Sequence, residues 1–173
     1  MTRLAPALLV LLFPIALNAE DKKPEPFKSK EGKFSVAMSE KPKEQTNKVK
    51  TDVGEVDLHA FLVDQKDRAV VVMYSDYPAG SVAEKSEKVM AGCIEGNVKA
   101  LKGKLLTEDK ITIGKAKHPG REIRIEMPDK KSIYRARLFI VGDRLYQVVA
   151  LGPDDYTKTK AVDDFMKSFA IDE

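Results

Sequence analysis

Arg121-Glu122-Ile123-Arg124-Ile125-Glu126-Met127, Ser132-Ile133-Tyr134-Arg135-Ala136-Arg137-Leu138-Phe139-Ile140-Val141 and Arg144-Leu145-Tyr146-Gln147-Val148-Val149-Ala150-Leu151 are three strand-like runs, separated only by Pro128-Asp129-Lys130-Lys131 and Gly142-Asp143. In the first run Ile123, Ile125 and Met127 alternate with Glu122, Arg124 and Glu126, the two-residue period of a half-buried strand. Connections this short join antiparallel neighbours, because a parallel crossover needs about a dozen residues or more. Leu105 to Ile113, leading through Gly114-Lys115-Ala116-Lys117, adds a strand before them, and Gly152-Pro153-Asp154-Asp155 closes the meander.

Upstream, Phe34, Val36 and Met38 alternate with Lys33, Ser35 and Ala37, and Lys41-Pro42-Lys43 ends that strand. Val56 to Val63 reads as a second strand. After the polar turn Asp64-Gln65-Lys66-Asp67, Ala69 to Tyr74 is apolar and β-branched, as in a central strand covered on both faces. From Val82 to Leu101 the period becomes helical, with Val82, Val89, Met90, Cys93, Val98 and Leu101 on one stripe and Asn97 interrupting it. Ser81 with Glu84 fits a capping box, and Gly103 fits the helix stop. Gly92 and Gly96 share a helix face, which predicts close approach to the sheet. Val162, Phe165, Met166 and Phe169 follow i, i+3, i+4, i+7, a short C-terminal amphipathic helix. The expected fold is α+β: an antiparallel meander sheet of about six to seven strands, flanked by one long and one C-terminal helix.

The chain opens with Arg3, an apolar stretch from Leu4 to Leu17, and Asn18-Ala19 before the charged Glu20-Asp21-Lys22-Lys23. This is the pattern of a cleavable secretory signal over residues 1–19, and the run is short for a membrane span. No cysteine follows it, so a lipid anchor is not expected, nor a stable membrane anchor after cleavage. Residues 20–31, with Pro24 and Pro26, read as a flexible lead-in to a single domain over 32–173. The product is expected outside the cytoplasm, periplasmic or extracellular. Thirty Lys and Arg against 27 Asp and Glu, interspersed, describe a solvated surface and not a nucleic-acid stripe. Cys93 is the sole cysteine, so the fold has no internal disulfide.

Gly32-Lys33-Phe34-Ser35-Val36-Ala37-Met38 followed by Lys41-Pro42 resembles the opening G-x-F-S-V-x-x-P-x-x-P of small exported proteins with the PsbP-like fold. Gly142-Asp143-Arg144-Leu145-Tyr146, then Phe165-Met166-Lys167-Ser168-Phe169, resembles their closing G-x-R-x-Y strand and F-x-x-S-F helix. Ser39 stands where a proline is usual. The resemblance implies a central antiparallel sheet flanked by helices, in a family of non-enzymatic extrinsic subunits and cell-envelope proteins. With Tyr74-Ser75-Asp76-Tyr77-Pro78 the chain is also similar to exported planctomycete proteins of unknown role. No catalytic residue carries over.

Direct reading of the chemistry agrees. His59 and Asp57 share a strand face and could join Asp76 in a mixed N/O site, but no HxxxH or CxxC spacing exists, and no metal or cofactor is expected. His118 precedes the turn signal Pro119-Gly120 and reads as a loop residue. Cys93 faces an apolar stripe, unlike a reactive thiol. Ser75 and Ser132 lack a base partner and a G-x-S-x-G elbow. Glu122, Arg124 and Glu126 read as a charge-compensated solvent face, and Arg135 and Arg137 as partners of nearby acids or an anion site. The candidate ligand-binding residues are Tyr74, Asp76 and Tyr77, at the end of the most apolar strand. The expected function is an exported, non-enzymatic accessory or interaction domain of the envelope with a protein partner there. The alternative is a small-ligand or metal-binding envelope protein.

Overall fold

The computed structural model describes residues 25–51 and 54–172; the expected signal segment lies outside the described residues. Ten strands and three α-helices follow one another: β1 (Phe27–Ser29), β2 (Phe34–Val36), β3 (Lys43–Thr51), β4 (Gly54–Gln65), β5 (Arg68–Asp76), α1 (Ser86–Leu101), β6 (Lys104–Ile113), β7 (His118–Glu126), β8 (Ser132–Val141), β9 (Arg144–Pro153), α2 (Asp154–Thr157), α3 (Lys160–Ser168) and β10 (Ala170–Ile171). Seven strands make one antiparallel sheet in the order β3-β4-β5-β9-β8-β7-β6, and a second sheet runs β1-β2-β10. The α+β architecture expected from the short connections is therefore present, with two additions.

The first addition is β3. Eight of its nine residues are exposed, so no apolar alternation marks it. It exists because β4 offers a full ladder, from Lys43 opposite Leu62 to Thr51 opposite Gly54. The second is the small sheet. Phe34 and Val36 do not extend the meander but pair with β1 and β10 above it. Part of the expected flexible lead-in is thus corrected. Residues 27–29 form β1, and the Phe27 ring lies 5.2 Å from that of Phe61. One aromatic side chain with a core to enter outweighs the polar composition around it.

The large sheet separates two apolar layers. One holds Phe34, Val36, Phe61, Val72, Tyr74, Tyr146, Val148, Val162, Phe165, Met166 and Phe169, under α3 and the small sheet. The other holds Val82, Met90, Ile94, Ile123, Ile125, Leu138, Leu145 and Val149, under α1. The alternation of Ile123 and Ile125 with Glu122 and Arg124 sorts these side chains to opposite faces. The four apolar residues expected of the C-terminal helix are all buried.

The long helix departs from expectation at its start and on its outer face. A 3-10 turn, Ala83–Lys85, precedes α1, and neither has a side-chain cap from its own neighbourhood. The cap comes from the β8–β9 turn. The Asp143 carboxylate accepts from the N–H groups of Gly80 (2.8 Å), Val82 (2.9 Å) and Ala83 (3.3 Å). These hydrogen bonds, the Gly80 one foremost, hold the Asp143 carboxyl below the usual aspartate range. Asp143→Ala is expected to lower the melting temperature by several degrees, read by thermal unfolding, and to speed amide exchange at Val82 and Ala83, read by native-state hydrogen exchange. An unchanged exchange pattern would show that the turn is held without it.

Gly92 and Gly96 do not approach the sheet: both are exposed, and a Cβ at either would meet nothing within 4 Å. The shared face that the spacing predicted is the solvent face. Ala at each position is therefore expected to stabilise the fold by about 1 kcal/mol through helix propensity alone. A rise in urea midpoint for each variant, additive in the double, checks this.

Candidate functional site

The strand end carrying Tyr74, Asp76 and Tyr77 lies beside the first residues of β9. In the ladder His59 faces Tyr74, Tyr74 faces Tyr146, and Tyr146 faces Phe139, so an aromatic row crosses four strands. The His59 ring stacks on Tyr74 at 4.6 Å between centroids, and its Nδ1 lies 3.1 Å from Thr46 Oγ1. Gly120 continues the row into β7, because a Cβ there would lie 2.4 Å from the Phe139 ring and 2.6 Å from the Leu138 carbonyl.

Arg144 ties this row to the small sheet. Its guanidinium sits 4.6 Å over the Tyr74 ring. Nε and Nη2 donate to the two Asp76 carboxylate oxygens at 2.5 and 2.7 Å, and Nη1 donates to the Glu31 carbonyl at 2.9 Å. The Tyr146 hydroxyl donates to the Gly32 carbonyl at 2.8 Å. The fork geometry of Arg matches a carboxylate in two parallel bonds, and stacking on Tyr adds a cation–π contact. Asp76 is thereby held by Arg144. Desolvation pushes the Tyr74 hydroxyl above its usual range, partly offset by the Arg144 charge.

The three candidate residues separate in space. Tyr74 is buried in the first core, and Tyr77 packs against the second. Asp76 and Tyr77 together border two open clefts. A cleft of about 420 Å³ is lined also by Lys48, Asp57, His59 and Pro78. The other, about 400 Å³, is lined also by Lys33, His118, Arg144 and Asp172. Asp57, His59 and Asp76 therefore do share a cleft. Among the described residues, however, no three His, Cys, Asp or Glu side chains are placed to hold a metal ion.

The remaining reactive types are engaged in packing. Burial pushes the Cys93 thiol up to about 11, so it stays protonated at neutral pH. Asn97, which interrupts the helix stripe, donates to Gln147 Oε1 at 3.3 Å beneath α1. Ser132 Oγ donates to Asp129 Oδ2 within a turn. Arg135 and Arg137 both donate to Glu122, at 2.7 Å each for the closest contacts, and Arg135 also reaches Asp163 at 2.6 Å. These charges lie under α3, part-buried, so the expected solvent face is a network between layers. Arg121, which the sequence did not single out, is buried on the opposite face and pairs with Glu87 of α1 and Glu108 of β6.

The motif residues quoted from both ends of the chain meet at one place. Phe34 lies 6.4 Å from Tyr146 and 5.5 Å from Phe169 between ring centroids, and Ser168 Oγ accepts from the Ala37 N–H at 2.9 Å. The solution structure of cyanobacterial PsbP (CyanoP) from Synechocystis sp. PCC 6803 superposes with a TM-score of 0.58 over 85% of this chain and 91% of that one, at 13% sequence identity. The fold is PsbP-like. No protein-family profile and no curated protein sequence matches the chain. In this PsbP-like chain the two quoted ends act as a clasp between the two sheets, and no described helix is long and apolar enough to cross a membrane.

Proposed function

We propose that this chain is an exported, non-enzymatic accessory domain of the cell envelope that works by binding a protein partner. The observation that carries the reading is the use of its reactive groups. The guanidiniums of Arg121, Arg135, Arg137 and Arg144 are engaged by acids or carbonyls of the fold, and the one thiol is half-buried and protonated. Catalytic sites instead leave titratable groups aimed into a cleft at a reacting atom. Likeness to PsbP supports the fold-level part, and the residues 1–19 pattern supports export. The resemblance to exported planctomycete proteins belongs to the same reading.

Affinity purification of the mature chain from the native envelope tests it. Recovery of one stoichiometric partner is expected, together with a mature N-terminus near Glu20. A partner-free chain with hydrolase activity, or an intact Met1, would sink it. A second reading has one observation in its favour: Asp76 and Tyr77 border both clefts. In that reading a small polar ligand, or a metal ion, sits between Asp57, His59 and Asp76. Native mass spectrometry of the purified chain with no adduct would exclude a tightly held species.

A further inference from the structure

We infer that β3 is a self-pairing edge, and that two copies of this chain join β3 to β3 antiparallel into one continuous sheet. Among the described residues the strand has a single neighbour, β4, and all nine of its residues pair with it without a bulge. Its other edge therefore presents a straight row of backbone donors and acceptors about 30 Å long. The opposite edge of the sheet is blunted, because the β6–β7 register shifts between Leu105 and Thr107. Bulges of this kind guard an edge against pairing, and β3 has none.

The side chains of β3 select the occupant. A two-fold axis through Asn47 overlaps the whole strand, Lys43 to Thr51. In that register Glu44 faces Lys50 of the second copy, twice, and Thr46 faces Lys48. Because the pairing is even-to-even, these residues lie on the same face of the joined sheet. Glu44 and Lys50 are exposed, and neither has an ion-pair partner among the described residues. Lysines usually discourage edge pairing. Here Lys48 is already held by Glu55 at 3.0 Å and Asp57 at 3.9 Å on its own β4, and Lys50 meets Glu44. Sliding the pairing by two residues one way would set Lys48 against Lys48. Sliding it the other way would leave Lys50 opposite Pro42, beyond the strand. Charge and overlap thus agree on one register. The dimer stands independently of the accessory function.

Sedimentation equilibrium of the full-length mature chain at low ionic strength, from micromolar to about 1 mM, tests the inference. A monomer–dimer equilibrium is expected. E44K and K50E each put like charges opposite one another twice, and each is expected to raise the dimer Kd about tenfold. The double variant E44K/K50E restores opposite charges, and its Kd is expected to return to within about threefold of the parent. A chain that stays monomeric throughout overturns the inference. So does a dimer insensitive to the single reversals, which would place the interface elsewhere, and so does a double variant no better than the singles. Should a variant fail to fold, amide exchange of the parent decides. Protection of β3 amides must rise with concentration, and concentration-independent exchange there overturns the self-pairing edge.

Discussion

Phe34→Ala is expected to cost about 4 kcal/mol of folding stability, the largest effect of any single side-chain truncation proposed for this chain. Phe34 is fully buried, and its ring contacts those of Phe27, Phe61, Tyr146 and Phe169 at centroid distances of 5.4 to 6.4 Å. Those four partners come from β1, β4, β9 and the end of α3. Removing the ring leaves a cavity that no single element can fill by shifting, and cavity cost adds to the lost transfer energy. The loss falls on the layer that joins the small sheet to the large one. Urea unfolding followed by tyrosine fluorescence and by far-UV circular dichroism checks this. A midpoint within experimental error of the parent would mean that the small sheet is not part of the cooperative unit.

The second large effect concerns Glu122. Glu122→Ala is expected to destabilise by about 3 kcal/mol at neutral pH, because it leaves Arg135 and Arg137 part-buried without their shared carboxylate. Glu122 and both arginines are less than one-fifth exposed, so solvent does little to compensate. The same geometry sets the response to acid. Desolvation is the largest single influence and pushes the Glu122 carboxyl up, but the hydrogen bonds and charges of Arg135 and Arg137 together outweigh it and hold the group below its ordinary value of 4.5. A carboxyl lowered in the fold binds its proton more readily in the unfolded chain. Its contribution is therefore complete above about pH 4.5 and is lost as pH falls through the lowered value. Asp163 and Asp154 shift the same way, through Arg135 and Lys158 respectively. Stability should fall as pH drops below that window, and Glu122→Gln should flatten part of the decline. An identical acid limb in parent and variant would remove Glu122 from the account.

Much of the fold was legible because its elements carry their own period. The Ile123–Ile125 alternation and the Val162–Phe165–Met166–Phe169 stripe each describe one buried face, and both held. β3 was not legible, since Lys43 to Thr51 is polar on both faces and its structure is imposed by β4. The Asp143 cap was hidden for a related reason. Its partners at Gly80, Val82 and Ala83 are about 60 residues away in sequence, so no local motif records it. Gly92 and Gly96 show the limit of spacing arguments, which give a shared face but not the direction it points. At the candidate site the pairing of Asp57 with His59 followed from strand parity. The approach of Asp76 required the β4–β5 register, and its capture by Arg144 required the β5–β9 register. Neither register is written in composition.

The small sheet has a kinetic consequence. Ser35 pairs with Ala170, and the Ala37 N–H meets Ser168 across 131 positions of chain. The layer around Phe34 therefore cannot seal until the C-terminal helix has been delivered. Contacts this distant in sequence carry a loop-closure cost that must be met before they return any stability, and they slow the last stage of folding. Synthesis runs from the N-terminus, so the closing strand Ala170–Ile171 is among the last parts of the chain to be made. The segment that emerges first stays unlocked until the segment that emerges last arrives to close it.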